Sequence, residues 1–241
     1  MLKKDTGLCI RKVDYSESSQ IVTFFTRDNG KIDGIAKGSK RAKSAFGGTI
    51  ELFAFGDIVF TGGGTGLATI TEFDPQVVFK GLGKNLLALN VCLFGAELLN
   101  LFTECYDSHR ELFDRFIQFL KDASACEQDR EIHGILILFQ LSLLEQTGGK
   151  LVLDGCVNCR AGFSARWPKV YFSSRQSGFV CPDCEGSFAD RLRISKAAAE
   201  CLSDLKHLTG AGKKTLVEIE KVLVEHFTNL AHKRPRMARY F

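Results

Sequence analysis

Four cysteines in two close pairs are the residues of this chain best suited to do chemistry. Cys156-Val157-Asn158-Cys159 is followed, after residues 160–180, by Cys181-Pro182-Asp183-Cys184. Two residues between thiols let the backbone curl so that both sulfurs face one cation. Two such knuckles close a tetrahedron with Zn–S distances of about 2.3 Å. Four thiolates leave no open coordination position, so the expected ion is one structural zinc per chain, held by Cys156, Cys159, Cys181 and Cys184. Paired disulfides would need an oxidising compartment. A thioredoxin-like dithiol needs a single such pair at the mouth of a βαβ unit, and neither knuckle has that setting. The zinc deaminase signature also fails. His109-Arg110-Glu111 offers its H-x-E, but Gly155 and Val180 stand where a proline must precede each cysteine pair.

A second stretch carries charge rather than ligands. Lys37, Lys40, Arg41 and Lys43 fall within seven residues and are followed by Phe46, Gly47 and Gly48. Cations displace the counterions of a phosphate backbone, and a ring meets the face of an unpaired base. Arg11, Lys12 and Lys31 could extend the same face. The alternative is a solvated basic loop. No nucleophile–base pair or motif of paired carboxylates stands out. Gly62–Gly66 does not match a dinucleotide fingerprint. Gly83-Lys84-Asn85 is no phosphate-binding loop, since Val78 replaces its first glycine and Asn85 its Ser/Thr. The expectation is a protein that is not an enzyme.

The elements that must position these groups change character along the chain. Five strands are expected over Gly7–Val13, Gln20–Arg27, Lys31–Ala36, Ile50–Phe60 and Leu67–Phe73. Asp28-Asn29-Gly30 marks a hairpin turn, and residues 62–66 a flexible tip. Short strands without a long helix suggest a closed barrel, OB-like first and SH3-like second. Phe24, Phe25, Phe53, Phe55 and Phe60 read as its core. Helical spacing follows over Leu86–Phe102, Ser108–Ala123 and Arg130–Gln146, the last apolar nearly all round. Helices resume at Ser195–Leu208 and Thr215–Ala231, with Ser108, Ser195 and Thr215 as N-caps. The fold class is therefore α+β and multi-domain. A barrel (1–80) precedes a helical domain in two parts (81–150 and 191–241), and a four-cysteine zinc finger (151–190) is inserted between them. The basic end, 232–239, is either a frayed tail or part of a polyanion surface.

The charge distribution permits a polyanion partner, and basic surface is also ordinary solvation. The 241 residues carry a net charge of +4. Residues 1–80 hold +2, residues 81–150 hold −4 and residues 151–241 hold +6. No apolar run follows the opening lysines and no span suits a membrane, so a reducing cytoplasm is expected. The five cysteines outside the knuckles (Cys9, Cys92, Cys105, Cys126, Cys201) then read as small apolar fillers. A zinc-stabilised scaffold for other proteins is the competing reading.

The chain also resembles the bacterial RecO family of DNA repair and recombination proteins. The similarity lies in Asp14-Tyr15-Ser16-Glu17-Ser18, Phe25-Thr26, Gly30-Lys31-Ile32, Ala36-Lys37-Gly38 and the basic residues to Lys43-Ser44. It extends to the apolar helical middle and to the cysteine insertion with Tyr171-Phe172-Ser173 before Gly178. Ser177 stands where the family commonly has a second glycine. The resemblance implies an OB-fold, a helical domain and a zinc finger. It implies a mediator that binds single- and double-stranded DNA, anneals complementary strands, and loads a recombinase on coated DNA. It implies RecR and the acidic tail of the single-strand binding protein as partners, with no membrane. The location implied is the bacterial cytoplasm at the nucleoid.

Overall fold

The computed structural model describes residues 1–41, 43–62, 66–77 and 79–241. Ala42 of the basic loop and residues 63–65 of the glycine tip lie outside the described residues. Strands β1 (Leu2–Asp14), β2 (Gln20–Thr26), β3 (Gly30–Ala36), β4 (Phe55–Thr61) and β5 (Ala68–Val77) close a barrel in the order β1-β2-β3-β5-β4. Within the barrel β3 and β5 pair in parallel, while β1-β2, β1-β4, β2-β3 and β4-β5 are antiparallel. This is a five-stranded Greek-key barrel of the OB type, the first of the two barrels expected.

Side-chain alternation along the strands fills the barrel. Val22 and Phe24 of β2 point inward to Ile32, Ile58, Phe60, Ile70 and Phe73, and the Phe24 and Phe73 rings lie 5.0 Å apart. Phe25 points the other way. It and Phe55 meet Phe113, at 5.9 and 6.3 Å, on helix α2 (Arg110–Ala125). They are thus covered from outside rather than lodged in the barrel core. Ion pairs Arg27–Asp114 (3.0 Å) and Arg110–Asp28 (2.8 Å) flank that contact. The turn before β3 needs glycine twice over. Gly30 has φ +68°, and a Cβ there would lie 1.9 Å from the Asp107 carbonyl oxygen.

The fourth strand starts five residues later than its sequence suggests. Phe53 adopts φ +62°, and its amide donates to Cys9 O at 2.8 Å while Cys9 N donates to Ala54 O at 2.9 Å. This exchange kinks residues 50–54 against β1, so the ladder with β5 begins only at Phe55.

Helix α1 (Leu86–Phe102) is followed by α2 and α3 (Asp129–Gln146). The chain forms two compact units. One joins Met1–Lys84 with Ala96–Ser124; the other joins Asn85–Gly95 with Ala125–Phe241. Most of α2 thus groups with the barrel, because the outward Phe25 and Phe55 need its apolar face. Ser108 is not the cap of α2, which starts two residues later; its hydroxyl donates to Arg27 O at 3.4 Å.

In the second unit, α3 packs on α5 (Lys213–Ala231). Leu138 of α3 is 46% exposed, so that helix buries one broad face rather than its whole surface. His133 is buried in this unit, with Nδ1 2.9 Å from Glu220 Oε1. Helix α4 (Lys196–Ser203) has the expected cap, Ser195 Oγ accepting from Ala198 N at 3.1 Å. It ends earlier than expected, where Asp204 starts a 3-10 turn over Leu205–Gly210. Gly212, not Thr215, caps α5. The basic tail is docked rather than frayed: Ala238 is fully buried and Phe241 stacks on Phe94 at 5.3 Å. Cys9, Cys92 and Cys201 are buried fillers, and burial pushes the Cys9 thiol up to about 12. Cys105 is exposed and Cys126 half-buried, so neither is one. Among the described residues no helix is long and apolar enough to cross a membrane.

Candidate metal centre and nucleic-acid interface

The two knuckles meet because of strand direction. β6 (Val152–Cys156) pairs in parallel with β8 (Gly178–Val180), in a sheet ordered β6-β8-β7-β9 with β7 (Val170–Ser173) and β9 (Arg191–Ile194). Parallel neighbours finish at the same sheet end, so Cys156 at the close of β6 meets Cys181 just past β8. Gly178 permits the approach: a Cβ there would lie 2.4 Å from Val152 O. The first knuckle then turns through Arg160 at φ +61°, and the second enters a 3-10 helix over Pro182–Ser187.

All four sulfurs lie within 4.8 Å of one another, and Cys159 Sγ to Cys181 Sγ is 3.7 Å. A tetrahedron with arms of about 2.3 Å has edges of about 3.8 Å, so the donor set fits a zinc-sized ion. Cys181 N donates to Cys156 Sγ at 3.4 Å and Asn158 Nδ2 to Cys184 Sγ at 3.3 Å. Burial opposes ionisation of Cys156, but the amides of Cys159, Cys181 and Asn158 outweigh it and bring that thiol down to about 6. Cys156, Cys181 and Cys184 are buried beside Tyr171 and Val180, with Trp167 and Phe188 packed against them. Cys159 is exposed.

The basic loop leaves β3 at Ala36 and is fixed by Gln20, a fully buried residue of β2. Its carbonyl oxygen accepts from Ser39 Oγ and from Ile50 N, both at 3.0 Å, and its amide donates to Ile50 O at 3.2 Å. One side chain therefore holds both ends of the loop. Lys37, Arg41 and Lys43 are exposed. No ion pair among the described residues engages them or Arg11. Lys40 is partly committed: its Nζ lies 2.9 Å from Asp14 Oδ2, a hydrogen bond that holds the Asp14 carboxyl below the usual range. Arg11 is exposed on β1, about 10 Å along the strand from Asp14. Lys12 pairs with Glu51.

Two expected members do not join this surface. Phe46 is 4% exposed and sits among Phe24, Ile50 and Phe73 in the barrel core. Its neighbour Ala45 accepts from Phe73 N at 3.1 Å. The ring plugs the barrel and cannot reach a base. Lys31 is 8% exposed, and its Nζ donates to Asn100 O at 2.7 Å and Thr103 O at 2.6 Å. It caps the carbonyl end of α1, where the helix dipole favours a cation.

Two family models match the chain. "Recombination protein O N terminal" covers residues 1–78 and "Recombination protein O C terminal" covers residues 83–237. The chain belongs to the RecO family. Proteins named DNA repair protein RecO are similar over nearly its whole length. That of Clostridium novyi is 31% identical across 99% of this chain and 93% of its own. That of Bacillus pumilus is 30% identical across 94% and 88%. That of Alkaliphilus metalliredigens is 29% identical across 94% and 87%. RecO membership agrees with the barrel, the helical second unit and the cysteine quartet.

Sequence reading missed Gln20, whose partners lie 19 and 30 residues away. A polar residue opening an apolar strand was the available signal. It also gave no role to Tyr15, 64% exposed in the turn between β1 and β2.

The two misplaced residues yield a prediction. Phe46→Ala should cost about 3–5 kcal/mol of stability, and Lys31→Met about 1.5–3 kcal/mol, both read by denaturant unfolding. A Phe46→Ala protein as stable as the parent would place that ring outside the core.

Proposed function

We propose that the chain is a DNA-repair recombination mediator that works by binding DNA and performs no covalent chemistry of its own. The carrying observation is the set of exposed cations Lys37, Arg41 and Lys43, in no ion pair among the described residues, on a loop that Gln20 ties to an OB barrel at Ser39 and Ile50. OB barrels use their loops and strand faces to hold oligonucleotides. The similar proteins, named DNA repair protein RecO, support the same reading. Lys40 joins the site by exchanging Asp14 for a phosphate, and Arg11 extends it along β1.

Such a site suits both single and double strands, because it reads phosphate charge and no base edge. Annealing follows from charge neutralisation, which lets two complementary polyanions approach. RecR and the acidic tail of the single-strand binding protein are the partners that the family resemblance implies. They complete a scheme in which a recombinase is loaded on coated DNA in the bacterial cytoplasm, at the nucleoid. The cysteine quartet holds one structural zinc, which ties β6 and β8 together and stabilises the finger.

Binding of a fluorescent single strand across a salt series tests the site. Four to five phosphate contacts predict a slope of log K on log[salt] of about −3. Arg41→Gln with Lys43→Gln should make it less steep by about 1.4. An unchanged slope would favour a protein scaffold with a solvated loop. Metal analysis tests the finger: about one zinc per chain is expected, and Cys156→Ser should lower both metal content and melting temperature. A metal-free protein of full stability would contradict it.

A further inference from the structure

We propose that Tyr15 is the base-stacking platform of the DNA site, an inference that rests on the DNA-binding reading above. Cations alone bind a backbone; holding an unpaired base also requires an accessible ring beside them. The basic loop's own ring, Phe46, is buried in the barrel. Tyr15 is instead 64% exposed, in the β1–β2 turn, where residues 16–19 are Ser-Glu-Ser-Ser. Val13, two residues earlier, is also exposed, at 46%.

The ring is tied to the cations through its turn. Tyr15 N and Ser16 N both donate to Ser19 O, at 3.0 and 3.3 Å. Ser16 Oγ accepts from Ser19 N at 3.1 Å. This closed turn is joined to the basic loop at two places, and the last residue of β1 adds a third link. Lys40 N donates to Ser18 O at 3.1 Å, Gly38 N to Ser19 Oγ at 3.3 Å, and Lys40 Nζ to Asp14 Oδ2 at 2.9 Å. A large apolar ring is thus held in water one residue from the carboxylate that Lys40 grips. A strand whose phosphates lie along Lys37, Lys40 and Arg41 can set a base on that ring. Since every base has a π face, the platform takes any sequence of unpaired DNA. It offers nothing to a base already stacked in a duplex, so it gives the site a preference for single strands.

The test compares a short oligothymidylate with an abasic deoxyribose-phosphate strand of equal length, on the full chain. Tyr15→Leu should weaken oligothymidylate binding roughly 5- to 100-fold. Affinity for the abasic strand and the salt slope should stay at parental values. Tyr15→Trp should retain binding, and its indole fluorescence should be quenched by oligothymidylate but not by the abasic strand; this arm decides the matter if the leucine variant proves unstable. Parental oligothymidylate affinity in Tyr15→Leu, with binding still weakened by Arg41→Gln and Lys43→Gln, would overturn the platform and spare the DNA reading. It would leave the exposed ring to a protein partner. Failure of the parent chain to bind either strand would overturn both.

Discussion

One buried carboxamide holds the candidate site together. Gln20 bonds the start of the basic loop through Ser39 and its end through Ile50. Because it is fully buried, these bonds do not compete with water, and losing any of them would leave a polar group unpaired at a cost of about 1–3 kcal/mol. Phe46 adds an apolar anchor between the two ends. The stretch between is therefore fixed at both ends, and its cations face outward from a defined base. A floppy basic loop would lose more conformational entropy on meeting DNA. On the proposed DNA-binding reading, Gln20 and Phe46 lower that cost by fixing the loop before DNA is met.

The cysteine quartet obeys a different constraint. Parallel pairing of β6 with β8 delivers both knuckles to one sheet end, and Gly178 lets the strands close. Three of the four sulfur-bearing residues are buried in their own small apolar cluster, and four thiolates leave an ion no open position. The finger is thus suited to stabilise its own unit rather than to act on a substrate.

What could be read from the chain depended on how local the cause was. Cysteine spacing fixes knuckle geometry within a few bonds, so the quartet was legible. The strand pattern and Asn29-Gly30 gave the barrel, and helical spacing placed α1 at its observed limits. Lys31 and Phe46 were not legible as interior groups. Residue type shows charge or aromaticity, while orientation is decided by partners far along the chain: Asn100 and Thr103 for Lys31, Phe24 and Phe73 for Phe46. The late start of β4 had the same origin, since the left-handed backbone at Phe53 is set by its exchange with Cys9. Gln20 was hidden because its buried loop partners, Ser39 and Ile50, lie 19 and 30 residues along the chain.

Amide hydrogen exchange on the full chain, with and without a saturating oligothymidylate, tests the central claim most directly. The account predicts new protection confined to residues 13–19 and 37–46, with exchange in the finger, 152–188, unchanged. Protection appearing in the finger or along α3 and α5, with the basic loop exchanging as in the free protein, would contradict it.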